Sequence, residues 1–485
     1  MSEASFPYAT VLVALPLLAA LGLRLGLGRA QARRWALLVG IVLLVVGLAA
    51  AWEHAGRGGG GLVLADPWVP AAVGFGVSGL GAILLPFGAL IGLAALLVLP
   101  RGRPGGGSPG APAHAAPLAR ILVALALTQA IFAAQGTALL AALWCVSLVP
   151  PLLELRALGP EGRPALRIFA VYLGLSAATF VAGVILVALG QVAAGAILLG
   201  IAVMIRKGIT PLHSWVPAVF ERAPLGMSVL FSAPQVGAYA TALVVFPLAS
   251  ARVLQVVGLA ALLTALYGAA MAVGQRSARR AYGYFFLSQS ALVMVGFECT
   301  TPDALTGGLC VWISSGLALA GLGLTIGLLE GRRGRLRLDQ FHGGYERMPR
   351  LGGMFLLLGA ASVGFPGTLG FVGEELLAPG ALDVFPIAGA AVAVATALNG
   401  ITVLRMFFAL FCGRPASGGL AQRLRPRETL GLALLGVVVV VFGLWPGPLV
   451  QGRARVAASM LAARAEAVDL PPGSADGGTP GRGTP

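Results

Sequence analysis

Long apolar runs, separated by short stretches rich in arginine, glycine or proline, recur along this chain. A helix needs roughly 18 or more apolar residues to cross a hydrocarbon layer. Runs of that kind fall at about 8–28, 35–52, 78–99, 118–136, 138–155, 166–189 and 191–219. Seven more fall at about 225–248, 253–274, 282–299, 303–330, 351–379, 384–412 and 428–449. The pattern predicts an all-α polytopic membrane protein of about fourteen transmembrane helices. Two of the runs are broken. The seventh contains Met204–Pro217, MIRKGITPLHSWVP, where Arg206 and Lys207 enter the apolar sequence and Gly208, Pro211 and Pro217 interrupt it. The twelfth contains Gly364–Leu377, GFPGTLGFVGEELL, with Glu374 and Glu375 beside its Gly/Pro break.

A cation at the bilayer centre costs about 2.5–3.5 kcal/mol even on lenient insertion scales, so it marks an ion path or a paired site. Backbone freed by a break is tolerated in a membrane only where it faces protein or water. The two broken runs lie five apart and therefore enter the membrane from opposite sides. Matching broken helices in halves of opposite orientation predict two inverted five-helix repeats, runs 4–8 and 9–13. Two ordinary proline kinks are the plainer alternative. The predicted layout is an N-terminal three-helix segment (1–100), a Gly/Pro-rich loop (101–117) and repeats at 118–248 and 249–412. A C-terminal helix (413–450) and an unstructured tail (451–485) complete it.

The charge of the loops tests the helix count separately. Arg29, Arg33 and Arg34 follow the first run, Arg101 and Arg103 the third, Arg163 the fifth and Arg222 the seventh. Arg276, Arg279 and Arg280 follow the ninth, Arg332, Arg333, Arg335, Arg337, Arg347 and Arg350 the eleventh, and Arg414, Arg423, Arg425 and Arg427 the thirteenth. Exits of even-numbered runs hold little beyond Arg57 and Arg252, with Arg453 and Arg455 after the fourteenth as an exception. Cytoplasmic loops carry the excess of Lys and Arg, so both termini are expected outside a bacterial-type inner membrane. This distribution also accounts for the net charge of +15 without nucleic acid as a partner. A content of 58% hydrophobic and 11% charged residues excludes a soluble domain. Cys145, Cys299, Cys310 and Cys412 form no CxxC pair and no His/Cys cluster, so neither a metal nor a disulfide framework is expected. The start, MSEASFPYATVLV, lacks a basic region and reads as a first helix instead of a cleaved signal.

At the two broken runs the chain resembles the antiporter-like membrane subunits of respiratory complex I, Mrp-type cation/proton antiporters and membrane-bound hydrogenases. That family's seventh-helix pattern is K-x4-P-[LF]-[HQ]-x-W-[LM]-P, then A-P-[TL]-x-x-S. Here Arg206 stands five residues before Pro211, with four residues between, and Leu212, His213, Trp215 and Pro217 follow, then Ala223, Pro224 and Ser228. The twelfth-helix pattern [LF]-P-G-x-x-G-F-[IV]-G-[EK] falls on Phe365 to Glu374. The resemblance covers about residues 78–450 and implies proton or cation translocation within a multi-subunit complex. It implies no cofactor and no self-contained active site. It also shows departures. Cys145, between Trp144 and Pro150, takes the place of a fifth-helix glutamate. The seventh-helix lysine falls on Arg206, or on Lys207 with a one-residue slip. The eighth-helix lysine lands near Gly237 or Ala238, and the eleventh-helix histidine and lysine land on Ser315 and Leu319. Glu374 alone is retained cleanly. Arg405 matches a thirteenth-helix arginine, with Thr402 replacing the tyrosine before it.

Several residues are candidates for an ion path. Guanidinium stays protonated, so Arg206 serves as a fixed charge, whereas Lys207, the sole lysine, can exchange a proton; mere pairing of both at the break is the alternative. His213 is either a shuttle or a structural histidine at the freed carbonyls. Glu154 either replaces the missing counter-charge or pairs with Arg156 at the membrane edge. Glu375 is expected to face away from Glu374, since neighbours on a helix point about 100° apart. Arg405 either snorkels to the cytoplasmic side or pairs with Glu374. Ser232, Gln235, Tyr239, Ser288, Gln289, Ser290, Ser314 and Ser315 either hold water or bind helices together. Three readings stand: a proton- or cation-translocating subunit with membrane and soluble partners, a scaffold that lost its relay, and a membrane partner in inorganic-carbon uptake.

Overall fold

With no water available to their backbones, apolar segments must satisfy their N–H and C=O groups internally, and this chain does so as helices. A computed structural model describes residues 6–26, 31–59, 61–98, 115–382, 386–413 and 424–469. In chain order the helices begin with α1 (Tyr8–Arg24), α2 (Ala32–Gly56), α3 (Gly79–Val98), α4 (Ala115–Ala133), α5 (Thr137–Val146), α6 (Val149–Ala157) and α7 (Arg163–Ala188). Next come α8 (Val192–Lys207), α9 (Trp215–Arg222), α10 (Leu225–Ser232), α11 (Val236–Ala240), α12 (Phe246–Leu248), α13 (Ala251–Gly274) and α14 (Ala278–Glu298). The remainder are α15 (Pro302–Arg333), α16 (Pro349–Ser362), α17 (Leu369–Leu382), α18 (Pro386–Phe411), α19 (Pro426–Leu444) and α20 (Gly447–Asp469). A two-stranded antiparallel ribbon, Val63–Ala65 with Gly76–Ser78, joins α2 to α3; the apolar pattern did not predict it.

Among the described residues, ten helices are long and apolar enough to cross a membrane, taking α5 with α6 and α10 through α12 as single spans. Residues 208–214 separate α8 from α9, and 363–368 separate α16 from α17, leaving helices of 16, 8, 14 and 14 residues. Pieces that short fall below spanning length one at a time; with α1, of 17 residues, and α14, long enough but less apolar, they account for the difference from the fourteen runs.

α15 forms the centre: its apolar window is fully buried, and it packs on α10, α14, α16, α17, α19 and α20. α2 and α7 lie at the periphery and turn Leu38, Ile41, Val45 and Leu48, and Val171, Leu175 and Ile185, outward. An apolar outer surface is the counterpart of a lipid environment. At one end of the bundle the exits of runs 7, 9, 11 and 13 meet. There Arg279 pairs with Glu330 at 2.5 Å and donates to the Ala223 carbonyl at 2.6 Å. Arg335 reaches the Glu221 carbonyl at 2.6 Å, and Arg332 pairs with Glu428.

The expected tail from 451 is corrected. Residues Gly447–Asp469 form α20, with Leu449, Val456 and Ala457 buried. The stretch lacks a long apolar run, yet Ala, Arg, Met and Leu are among the strongest helix formers. Arg453 is 2% exposed and donates to the Gly79 carbonyl at 3.0 Å, while Arg464 donates to the Phe246 and Ala249 carbonyls. Arg29, Arg101, Arg103, Arg414 and Arg423, most of the 101–117 loop and the chain beyond 469 lie outside the described residues.

Candidate functional site: two charged breaks and the polar groups between them

α8 ends where Gly208 takes a left-handed φ of +72°, a conformation that costs glycine nothing. The stop leaves Arg206 and Lys207 on the last turn, 6% and 5% exposed. Successive helix positions diverge, and the two cations serve different neighbours. Arg206 donates to the Trp144 carbonyl at 3.2 Å and to Ser147 Oγ at 2.9 Å. Its guanidinium also lies 4.5 Å from the Trp144 ring and 4.8 Å from the Phe231 ring. A desolvated cation–π contact contributes on the order of 2 kcal/mol. Trp144 is itself fixed: it stacks on Phe180 at 4.5 Å and donates to Ser176 Oγ at 3.2 Å. Arg206 is thus a held charge.

Lys207 has a different partner: its Nζ donates to Gln235 Oε1 at 2.6 Å. An ammonium has donors only, which sets the Gln235 amide: Oε1 faces Lys207, and Nε2 donates to Ser315 Oγ at 3.0 Å. Ser290 Oγ donates to the same Oε1 at 3.4 Å. Gln235 lies in the gap between α10 and α11 at φ +53°. The lysine stem fills the space beside Gly237, where an added Cβ would come within 2.7 Å of Lys207 Cγ. Substituting Gly237→Ala is therefore expected to push Nζ off Gln235. Overpacking of this kind costs about 1–3 kcal/mol, readable as a lowered unfolding temperature of the purified chain.

Glu374 lies on α17, one turn past the second break. Thr396 Oγ1 on α18 donates to its Oε2 at 3.4 Å. The carboxylate rests against Gly364, at φ +66°, where a Cβ would approach Oε2 to 2.5 Å. Glu375 is exposed. Between the two breaks, α14 carries Ser288, Gln289 and Ser290 in succession, α15 carries Ser314 and Ser315, and α18 carries Thr396 and Asn399. Asn399 Nδ2 donates to Ser288 Oγ at 2.8 Å. Both amide atoms of Gln289, Asn399 Oδ1, Ser314 Oγ and Ser232 Oγ are buried without a hydrogen-bond partner. An unmet buried polar group costs about 1–3 kcal/mol, and buried water is the usual remedy. These groups make up a polar seam of three hydrogen-bonded sets, Lys207–Gln235 with Ser290 and Ser315, Asn399 with Ser288, and Thr396 with Glu374. Ser288 and Ser290, two positions apart on α14, face opposite sides, with Gln289 between them.

Other candidates lie elsewhere. Glu154 pairs with Arg120 on α4, not with Arg156 and not with Arg206. Arg156 is two residues away on the same helix and so faces the opposite side, exposed. Arg405 donates to the Val273 and Gln275 carbonyls at 2.5 and 2.9 Å, capping α13. It does not reach Glu374, because nine helical residues separate it from Thr396, about 14 Å along α18. His213 Nε2 lies 3.2 Å from Tyr267 Oη on α13, apart from Lys207. Tyr239 Oη donates to the Ala134 carbonyl at 2.7 Å and faces away from Gln235. Cys145 is half-buried beside Trp144. Thr396, Phe231 and Ser147 went unnoticed in the sequence; only Thr396, one turn before Asn399 in an apolar run, left a signal.

A bundle of membrane-crossing helices, with two buried cations at one helix break, a half-buried carboxylate at another and polar side chains within the bundle, defines a multi-pass α-helical membrane protein with charge in its core. Residues 171–399 match the family model described as NADH:quinone oxidoreductase/Mrp antiporter, TM. NADH-quinone oxidoreductase subunit 13 of Thermus thermophilus is 30% identical over 352 residues, covering 67% of this chain and 74% of that one. Subunit M of the Pseudomonas aeruginosa enzyme is 29% identical over 256 residues, 52% of this chain and 50% of that one. That second match spans half the length of its relative. A chain of respiratory complex I from Thermus thermophilus with bound NADH has the same fold, with a TM-score of 0.82 at 24% identity. That superposition covers 94% of this chain and 99% of the other. The chain belongs to the NADH:quinone oxidoreductase/Mrp antiporter membrane-subunit family.

Proposed function

We propose that this chain carries protons, or a monovalent cation in exchange for protons, across a bacterial-type inner membrane. It works as one antiporter-like subunit of a larger assembly whose other membrane and soluble subunits supply the driving reaction. In this reading the pieces on either side of each break act together as one span. The fourteen spans then include two five-helix repeats of opposite orientation, and both termini lie outside. The meeting of the arginine-rich exits of runs 7, 9, 11 and 13 at one end of the bundle supports that orientation.

The observation that carries the reading is the row of buried, unpartnered polar atoms between Lys207 and Glu374, on Gln289, Ser314 and Asn399. Groups used only to bind helices together would have found partners in one another. Groups that hold water stay open to it, and water relays protons. The purified full chain in proteoliposomes, with a pH dye inside and a potential imposed, is expected to acidify the lumen faster than protein-free liposomes do. A rate equal to the protein-free background would overturn transport by this chain.

A further inference from the structure

The end of α8 leaves two cations without a balancing carboxylate. Among the described residues, every acid in an ion pair serves a different partner, and neither Arg206 nor Lys207 has a carboxylate within 4.0 Å. Two adjacent buried positive charges with no counter-charge are costly, since taking an ion out of water costs several kcal/mol even after relaxation. Arg206 offsets part of this with two hydrogen bonds and two ring faces. Lys207 offers three N–H donors, and Gln235 accepts one of them.

Both cations border one cavity, together with Ser232, Gln235 and Ser290 and walls of Trp215 and Phe231. The centre of a water-sized sphere has about 20 Å³ in which to move there, room for a water or a single small ion. Ser232 Oγ, on a residue 9% exposed, lies at this cavity with no hydrogen-bond partner. Besides the cations, the polar side chains on the lining are two hydroxyls, an amide and the Trp215 indole, and none is a carboxylate.

We infer that this cavity binds one small monovalent anion of the halide class, held by Lys207, Arg206 and the Ser232 hydroxyl. The anion supplies the negative charge that no side chain of the site provides. A large halide such as bromide gives up its hydration shell at less cost than fluoride does, and the volume excludes organic anions. The site can be read without any transport, so its absence would leave the proposed function standing, and absence of transport would leave the site standing.

The test is the unfolding temperature of the purified full chain in sodium bromide against sodium gluconate at equal ionic strength. Bromide is expected to raise it by several degrees in a saturable way, as a ligand of the native state does. Cys145→Glu places a carboxylate on the residue beside Trp144, whose ring and carbonyl hold Arg206. Lys207→Gln removes one of the charges. Either variant is expected to lose the bromide response, and Cys145→Glu is expected to be as stable in gluconate as the wild type is in bromide. If one variant does not fold, the other decides. Equal unfolding temperatures of the wild type in the two salts would overturn the site, as would a bromide response undiminished in the folded variants.

Discussion

Replacing Lys207 with alanine is expected to bring proton flux in proteoliposomes to the protein-free background, and Lys207→Arg is expected not to restore it. The ammonium holds one end of the polar seam through its 2.6 Å bond to Gln235. Without it, Gln235 Oε1 keeps only the 3.4 Å contact from Ser290, and the amide is held by its 3.0 Å bond to Ser315 alone. A hydrogen bond to a charged group contributes about 1.5–3 kcal/mol, which corresponds to roughly a ten- to hundredfold change in rate. Arginine retains the charge but cannot release a proton, so it separates charge from proton exchange. The bulkier guanidinium must also fit beside Gly237, where the lysine stem already occupies the space of a Cβ. Arg206 cannot take over, because its guanidinium is held by Trp144, Ser147 and the Phe231 ring. Monodisperse elution of each variant separates a lost relay from a lost fold. Flux in Lys207→Arg equal to wild type would show that Lys207 supplies charge alone.

What was legible in the chain followed from solvent. Apolar runs had to become helices, and they did so close to the expected bounds, as at Gly79–Val98 and Pro386–Phe411. Gly208 and Pro366 marked the two stops because each disrupts the backbone ladder locally. What stayed hidden was rotation and long-range pairing. A uniformly apolar run states how long a helix is, but not which face meets which neighbour. Glu154 therefore looked free to pair with Arg156, while its partner is Arg120, 34 positions away. Arg405 gave no hint of capping α13 from 130 positions along the chain. α20 escaped for the opposite reason: its stability comes from Ala-rich helix propensity and from arginines that bond carbonyls of other helices, and neither leaves an apolar run. The gap left by glycine at position 237 could be seen in the sequence, but not that the Lys207 stem fills it.

The second large effect is expected at the other break. Glu374→Gln should bring flux to background, whereas Glu375→Gln should leave it within about twofold, the scale of an exposed substitution of ±0.5 kcal/mol. The two acids are adjacent in sequence, equal in chemistry and on the same turn of α17, so composition cannot distinguish them. Their surroundings do: Glu374 lies against Gly364 with Thr396 donating to it, while Glu375 is exposed. Glutamine keeps the volume and an acceptor for Thr396 but can neither take up nor release a proton. A loss in Glu374→Gln with normal elution and unfolding temperature therefore assigns the proton to that carboxyl. Thr396→Val removes the donor and leaves the acid, so it should slow flux without abolishing it, placing it between the two glutamate variants. Equal flux in Glu374→Gln and Glu375→Gln would mean that the half-buried carboxylate serves packing at the break, and the seam from Lys207 would then have no acid at its far end.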